Sequence, residues 1–297
     1  MSSPRRVLII THTGRPEAIM AAREVLLRLR EAGMEPVMLG EEMREVPGAD
    51  AVATDIEKAV NGAELVVVVG GDGTILRAAE LVRDHPVPLF GVNLGHVGFL
   101  AESEREDLAD AMHRIAQCDY AVEERMTLDV RVLGQDGVLG SSWAINEVSV
   151  EKATRQRMIE LVTEVDCRPV STMGCDGVVM ATPTGSTAYA FSAGGPVVWP
   201  EVEALLMVPI SAHALFARPL VVAPTSQLAV EMLGPAEGAV LWCDGRRRID
   251  VPKGARVEVQ RGLRPVRLAR LASGPFTDRL VAKFRLPVSG WRGPAEG

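Results

Sequence analysis

The chain has 297 residues, 47% apolar and 24% charged, a globular composition long enough for two domains or one large one. Its formal charge of −7, from 32 Lys and Arg against 39 Asp and Glu, argues against general nucleic-acid or anionic-membrane binding. Apolar runs such as Leu65–Val69 are only a few residues long, too short for a helix that crosses a bilayer. Arg5 and Arg6 are followed by four apolar residues before Thr11, too few for a signal-peptide core. Cys118, Cys167, Cys175 and Cys243 form no Cys-x-x-Cys pair and no metal-ligand spacing with the five histidines. They read as free thiols of a reducing cytoplasm.

In chain order, Val7 to Ile10 predicts a buried strand. Pro16 then opens a helix with Ile19, Ala22, Leu26 and Leu29 on one face, and Gly33 ends it. Glu64 to Val69 is the next strand, running into Gly70-Gly71-Asp72-Gly73-Thr74 and a helix from Ile75. Val87 to Val92 is a further strand, and Ser103-Glu104-Arg105-Glu106 reads as a capping box for a helix carrying Leu108, Met112 and Ile115. This alternation predicts a doubly wound, Rossmann-like α/β domain over residues 1–125.

Beyond it the period changes to two. Leu128, Val130 and Val132 alternate with polar residues, as do Leu228, Val230 and Met232. Turn signals recur at Asp136-Gly137, Gly234-Pro235, Asp244-Gly245 and Lys253-Gly254. A β-rich domain of hairpins is expected over residues 126–270, with a tail, 271–297, that packs back on the first domain. Within it, residues 176–196 are dense in Gly, Ser and Thr, too small for core and too ordered in composition for a linker. Charge is uneven as well: Glu41 to Glu57 holds six acids against one Arg, and Arg246 to Arg270 nine Lys and Arg against Asp250 and Glu258. The basic stretch reads either as a solvated face or as a rim that attracts a polyanionic substrate.

The strongest local signal is the run Val66 to Thr74. A buried strand ending in a glycine turn that opens a helix aims several backbone N–H groups at one point. Glycines admit a phosphate close to the backbone, and the helix start adds partial positive charge. No Gly-Lys pair exists for a P-loop, and Leu76 stands where a dinucleotide fingerprint needs its third glycine. A carboxylate beside a phosphate cradle is repulsive unless it binds metal or handles a proton. Asp72 therefore suggests a kinase in which it faces the acceptor hydroxyl; the alternative is a tight turn with Asp72 as a local cap.

The pentad GGDGT at 70–74 is shared by NAD kinases, diacylglycerol- and sphingosine-type lipid kinases and, loosely, phosphofructokinases. The chain adds Asn93-Leu94-Gly95-His96-Val97-Gly98-Phe99-Leu100, Asn146-Glu147, Pro183-Thr184-Gly185-Ser186-Thr187-Ala188-Tyr189, Ser192-Ala193-Gly194-Gly195-Pro196 and Arg218-Pro219-Leu220. In that order and spacing, from about Leu65 to Gly245, the set resembles the NAD kinase family.

The resemblance implies phosphoryl transfer to the 2′-hydroxyl of the adenosine ribose of NAD, giving NADP, with Asp72 as general base. It implies that Gly70, Gly71, Gly73 and Thr74 form the phosphate turn and that Arg77 meets phosphate. It carries Phe99, Asn146, Glu147, Arg157, Asp176, Thr187, Ala188, Tyr189, Ala190, Phe191, Ser192 and Arg246 to positions that bind the nucleotides. Asn146 and Glu147 are neighbours, so their joint use implies a bulge or strand end there. Asp176 falls near a subunit boundary of the family, which implies a homodimer or homotetramer. The expected substrates are NAD and ATP, with inorganic polyphosphate as a second donor. Mg2+ or another divalent cation is expected on the donor's phosphates, and neither nucleic acid nor membrane as a partner. Three departures stand out: Ser211-Ala212-His213 replaces a Pro-His pair, with His213 read as a satisfied structural histidine, and Gly174 and Arg246 replace a basic residue and a Gln of some relatives. A lipid kinase would need an apolar acceptor site, and a pure NAD(P)-binding sensor would gain nothing from Asp72.

Overall fold

The structure, a computed structural model, describes residues 4–94, 98–101, 103–104, 107–154, 157–233, 238–271 and 274–288. It comprises two compact units, Met1–Glu124 with Val266–Gly297, and Arg125–Pro265. Among the described residues no helix is long and apolar enough to cross a membrane.

The first unit is built on a sheet whose order is Val52–Thr54, Glu35–Leu39, Arg6–Thr11, Ala63–Val69, Leu89–Asn93, Val266–Arg270 and Ala121–Arg125. Its first five strands pair in parallel. Val7–Ile10 and Leu65–Val69 are fully buried, as strands covered on both faces require, so they read as unbroken apolar runs rather than alternation. The helix Pro16–Glu31 has Pro at its start, Arg28 and Arg30 in its last turn, and buries Ala18, Ala21, Ala22, Val25, Leu26 and Leu29. Gly33 follows at φ 75, a conformation that suits glycine just past a helix. The chain moves outward from Arg6–Thr11 through Glu35–Leu39, then returns to the opposite side with Ala63–Val69. The strand order therefore reverses between those two strands, and open α/β sheets bind ligands at the carboxyl ends of such a pair.

Two features differ from the expected elements. Ser103–Glu104 is not a helix cap but a short strand paired with Val92 and Asn93; Arg105 and Glu106 lie outside the described residues. The helix begins only at Leu108, with Leu108, Met112 and Ile115 buried as the spacing required. The strand Val266–Arg270, which the alternation assigned to the β-rich half, pairs in parallel with Leu89–Asn93 of the first sheet. Its Val266, Leu268 and Ala269 are all buried, which suits a strand covered on both faces.

The second unit has two six-stranded sheets. One runs Leu220–Val222, Leu205–Ile210, Gly177–Ala181, Glu147–Lys152, Ala239–Cys243, Arg247–Val251. The other runs Arg168–Cys175, Ile159–Val165, Leu228–Leu233, Arg256–Arg261, Leu128–Gly134, Gly137–Ala144. Alternate residues of both, among them Val130, Val148, Leu161, Met180, Val230 and Val257, form one buried core, the arrangement of a sandwich. The small-residue stretch, expected to be too small for core, does contribute to one. Ala190 is fully buried in a second cluster with Val179, Ala181, Leu206 and Val208 on the other side of the Gly177–Ala181 and Leu205–Ile210 strands. Smallness permits this approach: a Cβ on Gly195 would lie 2.8 Å from the Ala190 carbonyl oxygen and 2.9 Å from Val208 Cγ2. The expected turn at Gly234-Pro235 lies outside the described residues.

Candidate active site

In the first unit the strand Ala63–Val69 ends at Gly70, and the helix Asp72–Leu81 begins two residues later. A Cβ on Gly70 would stand 2.4 Å from Thr74 Oγ1, whereas Cβ atoms on Gly71 or Gly73 would meet nothing within 4 Å. The turn thus needs glycine at 70 to close on itself and leaves open space beside Gly71 and Gly73, where a phosphate could approach the backbone. Thr74 is buried, its N–H bonded to the Gly71 carbonyl at 2.8 Å.

Asp72 is not a local cap. Its Oδ2 accepts the Phe99 N–H at 3.1 Å and its Oδ1 the Leu100 N–H at 3.1 Å. Gly98 makes room for this pairing, since a Cβ there would lie 2.4 Å from Asp72 Oδ1. The glycine turn and the 93–100 motif are therefore one construction; Gly95, His96 and Val97 lie outside the described residues. The Phe99 ring packs on Phe276 and Phe284 with centroids 5.7 and 6.0 Å away, which puts the helix Phe276–Phe284 in this unit; residues 289–297 lie outside the described ones.

Arg77, expected to meet phosphate, is held by two protein groups. Its guanidinium pairs with Glu42 and also donates to the Thr11 carbonyl at 3.3 Å, while Glu42 Oε2 accepts the Thr11 N–H at 2.8 Å. Glu42 is buried, and burial raises its pKa against the pull of the Thr11 N–H and Arg77. Arg77 thus anchors the carboxyl end of Arg6–Thr11 at the switch point. Glu42 lies inside the acidic run Glu41 to Glu57, and nothing local marked it.

The second unit assembles another constellation. Asn146 immediately precedes the strand Glu147–Lys152, so the pair does stand at a strand end. Thr182 Oγ1 donates to the Ile145 carbonyl at 2.6 Å, and the Thr182 N–H to the Asn146 carbonyl at 2.9 Å. The Gly185 N–H returns to Thr182 Oγ1 at 3.1 Å. A Cβ on Gly185 would fall 2.0 Å from the Asn146 carbonyl oxygen, so only glycine lets the Thr184–Thr187 turn close on Asn146. The Glu147 carboxyl is buried and accepts the Tyr189 N–H at 3.2 Å. Burial, with the neighbouring Asp244 second, pushes Glu147 up to about 8.

Asp244 was expected only as a turn residue. Its carboxylate accepts the Ile145 N–H at 3.0 Å and the Asn146 N–H at 2.7 Å, and pairs with Arg247 at 2.8 Å. Only the carboxylate's reach across ninety-nine residues reveals this, and an Asp-Gly hairpin turn carries no such signal.

The remaining expected positions are scattered in exposure. Tyr189, Phe191 and Ser192 are exposed, Thr187 and Ala188 half-buried, and Ala190 faces the core with its carbonyl bonded to the Gly195 N–H. Asp176 pairs with Lys152. Arg157 and Arg246 are exposed. The His213 side chain is exposed, and its backbone, not its ring, makes the bridge to Gly174, N–H to carbonyl at 2.8 Å. The basic stretch is no continuous rim: Arg247, Arg248, Arg256 and Arg261 pair with Asp244, Asp250, Glu164 and Glu203, and Arg267 and Arg270, which belong to the first unit, with Glu124 and Glu123 of that same unit. Among the described residues no group of three His, Cys, Asp or Glu side chains could hold a metal ion, and all four cysteines are free thiols.

The family model of the ATP-NAD kinase N-terminal domain matches residues 7–120, and that of the ATP-NAD kinase C-terminal domain residues 145–271. The chain is 60% identical to an NAD kinase of Leifsonia xyli subsp. xyli over 99% of both chains. The chain belongs to the NAD kinase family. An NAD kinase of Thermobifida fusca is 56% identical over 98% of this chain and 92% of its own. A solved NAD kinase of Archaeoglobus fulgidus, in complex with ATP, superposes with a TM-score of 0.71 at 26% identity over 95% of this chain and 99% of that one. Yeast NADH kinase complexed with NADH shares the fold, with a TM-score of 0.87 at 21% identity over 98% and 90% of the two chains. The activity is phosphorylation of NAD to NADP.

The buried Glu147 makes stability depend on pH. It holds its proton up to about 8 when folded and near the ordinary 4.5 when unfolded, so between those values the folded state binds more protons. Its contribution is therefore full at low pH and falls as pH rises from 4.5 through about 8. Glu147→Gln should flatten the drop in melting temperature between about pH 6 and 8.5; parallel curves for the two proteins would place an ordinary carboxylate there.

Proposed function

We propose that Asp72 is the general base of this kinase and that Asn146 and Glu147 hold the acceptor nucleotide. The observation that carries it is the Asp72 carboxylate, fixed by two backbone N–H groups at the start of a helix whose glycine turn is open beside Gly71 and Gly73. Each carboxylate oxygen has two lone-pair directions, and one N–H on each leaves the others for an acceptor. The 2′-hydroxyl of the NAD adenosine ribose gives its proton to Asp72 as its oxygen bonds the terminal phosphorus of ATP. The bond from that phosphorus to the bridging oxygen breaks, and ADP leaves with the electron pair.

The donor is read as arriving with Mg2+ or a similar divalent ion on its own phosphates. Such an ion would neutralise the donor's charge. Gly70, Gly71, Gly73, Thr74 and Arg77 are assigned to phosphate. Phe99, Arg157, Thr187, Ala188, Tyr189, Ala190, Phe191, Ser192 and Arg246 are assigned to the nucleotides, Ala190 through its backbone only. Inorganic polyphosphate as a second donor, and a cytoplasmic location in keeping with four free thiols, belong to the same reading.

Asn146→Ala and Glu147→Ala should raise the KM for NAD and leave kcat within a few fold. A hydrogen bond to a neutral ligand group is worth about 0.5–1.5 kcal/mol, more where a buried partner is stranded. Steady-state assays with ATP, and with polyphosphate in its place, test this; unchanged KM in both variants would remove the pair from the acceptor site.

The same reading makes the enzyme a homodimer or homotetramer whose sites take Asp72 from one protomer and Asp176 from another. Co-expressing Asp72→Asn with Asp176→Ala should then recover up to about a quarter of wild-type activity, the share of intact sites in randomly paired twofold dimers. Activity equal to the sum of the parents, with subunit exchange confirmed, would show that one protomer builds each site.

A further inference from the structure

We infer that Asp244 is a positioning residue for the acceptor, aiming Asn146 and Glu147 by fixing the main chain that carries them. The inference rests on the reading that this pair holds NAD. Consider the polar main-chain atoms around the pair. The N–H groups of Ile145 and Asn146 both end on the Asp244 carboxylate, at 3.0 and 2.7 Å. The carbonyls of Ile145 and Asn146 end on Thr182, and the Glu147 carbonyl accepts the Asp244 N–H at 2.9 Å. The peptide before Asn146 cannot rotate without breaking bonds at both of its ends, and the peptides after it are held through the Asn146 and Glu147 carbonyls, so the two side chains leave the backbone in fixed directions. Asp244 thus holds three of these five atoms, two through one carboxylate.

The carboxylate is itself held. It is buried in the turn Asp244-Gly245, where the two residues have φ of 52 and 62, a backbone that Asp and Gly tolerate better than other residues. Arg247 pairs with it at 2.8 Å, and the Arg247 guanidinium lies over the Trp143 ring, 4.5 Å from its centroid. Burial pushes the Asp244 pKa up against the pull of the Ile145 and Asn146 N–H groups and Arg247, and both of its oxygens accept backbone N–H groups. An amide at 244 would have one accepting oxygen for these donors and would present an NH2 group to the rest. The chain from Trp143 through Arg247 and Asp244 to Asn146 is therefore a support for the acceptor site made of residues that need not touch the nucleotide.

Asp244→Asn tests this in the full-length enzyme, with Arg247→Lys as a milder second variant that keeps the charge but loses the planar fork. The expected result is a KM for NAD raised about five- to thirty-fold in Asp244→Asn and by less in Arg247→Lys, with kcat and the KM for ATP within about twofold of wild type. Two further readouts separate positioning from mere stability. On the Asn146→Ala/Glu147→Ala background, adding Asp244→Asn should raise the KM for NAD by less than twofold, because the residues it aims are gone. The pH at which KM for NAD changes should also move down in Asp244→Asn: the groups facing Glu147 are Asp244, Glu151 and the Tyr189 N–H, and one like charge has been removed. A KM for NAD that stays at the wild-type value in folded Arg247→Lys and Asp244→Asn, or an undiminished effect on the double-alanine background, would overturn the inference. If Asn146→Ala and Glu147→Ala alone leave KM unchanged, the assignment of the acceptor site fails first, and the two failures are distinct.

Discussion

Asp72→Asn should bind NAD with nearly wild-type affinity while kcat falls about 10²- to 10⁴-fold, the usual loss when a general base is removed. The Asn side chain keeps one oxygen to accept an N–H from Phe99 or Leu100, which the aspartate holds at 3.1 Å each, so the 98–100 segment keeps part of its anchor. What disappears is the capacity to take a proton. Calorimetric titration with NAD and a steady-state assay on the same preparation separate the two. A kcat near wild type would remove Asp72 from the proton transfer. A lost affinity for NAD with kcat preserved would make it a binding residue instead.

Gly98→Ala should damage the same step without touching the carboxylate's chemistry. The φ of Gly98 is not in the left-handed region, so alanine is tolerated by the backbone; the obstacle is space. The new Cβ would sit 2.4 Å from Oδ1, 3.1 Å from Cγ and 3.3 Å from Oδ2 of Asp72. The carboxylate must swing away and give up one or both backbone N–H groups. A misplacement of about 1 Å in a reacting group can cost about 10²-fold, so kcat should fall by one to two orders of magnitude with a small change in melting temperature. Wild-type turnover in Gly98→Ala would show that the contact between the two motifs does not set the position of the base.

These two variants bear on how much was legible in the amino-acid sequence. Elements with a local cause were: Val7–Ile10 and Leu65–Val69 are buried on both faces and read as unbroken apolar runs, and Leu128, Val130 and Val132 alternate because one face meets the sandwich core. The glycine turn was legible because only glycine permits its geometry. Relations between distant residues left no local trace. Glu42 meets Arg77 thirty-five positions on, Asp244 meets Asn146 ninety-eight positions back, and Val266–Arg270 returns to a sheet that began at Arg6. The stretch around Thr184–Pro196 misled for a different reason. Small residues read as too small for core, yet here smallness is what lets Ala190, Gly185 and Gly195 pack on a sheet face and on the Asn146 backbone. The basic run left two readings open because counting charges ignores their partners, and six of its arginines stand in ion pairs.

The central claim is transfer of the terminal phosphoryl group of ATP to the 2′-hydroxyl of NAD, and it is read most directly from the products. Wild-type enzyme incubated with NAD, ATP and magnesium should yield ADP and NADP in equal amounts, with 31P NMR and mass spectrometry placing the new phosphate on the 2′ oxygen. An NAD analogue lacking that hydroxyl should compete with NAD and remain unphosphorylated. Formation of ADP without NADP, or a phosphate carried by the 2′-deoxy analogue, would contradict the account.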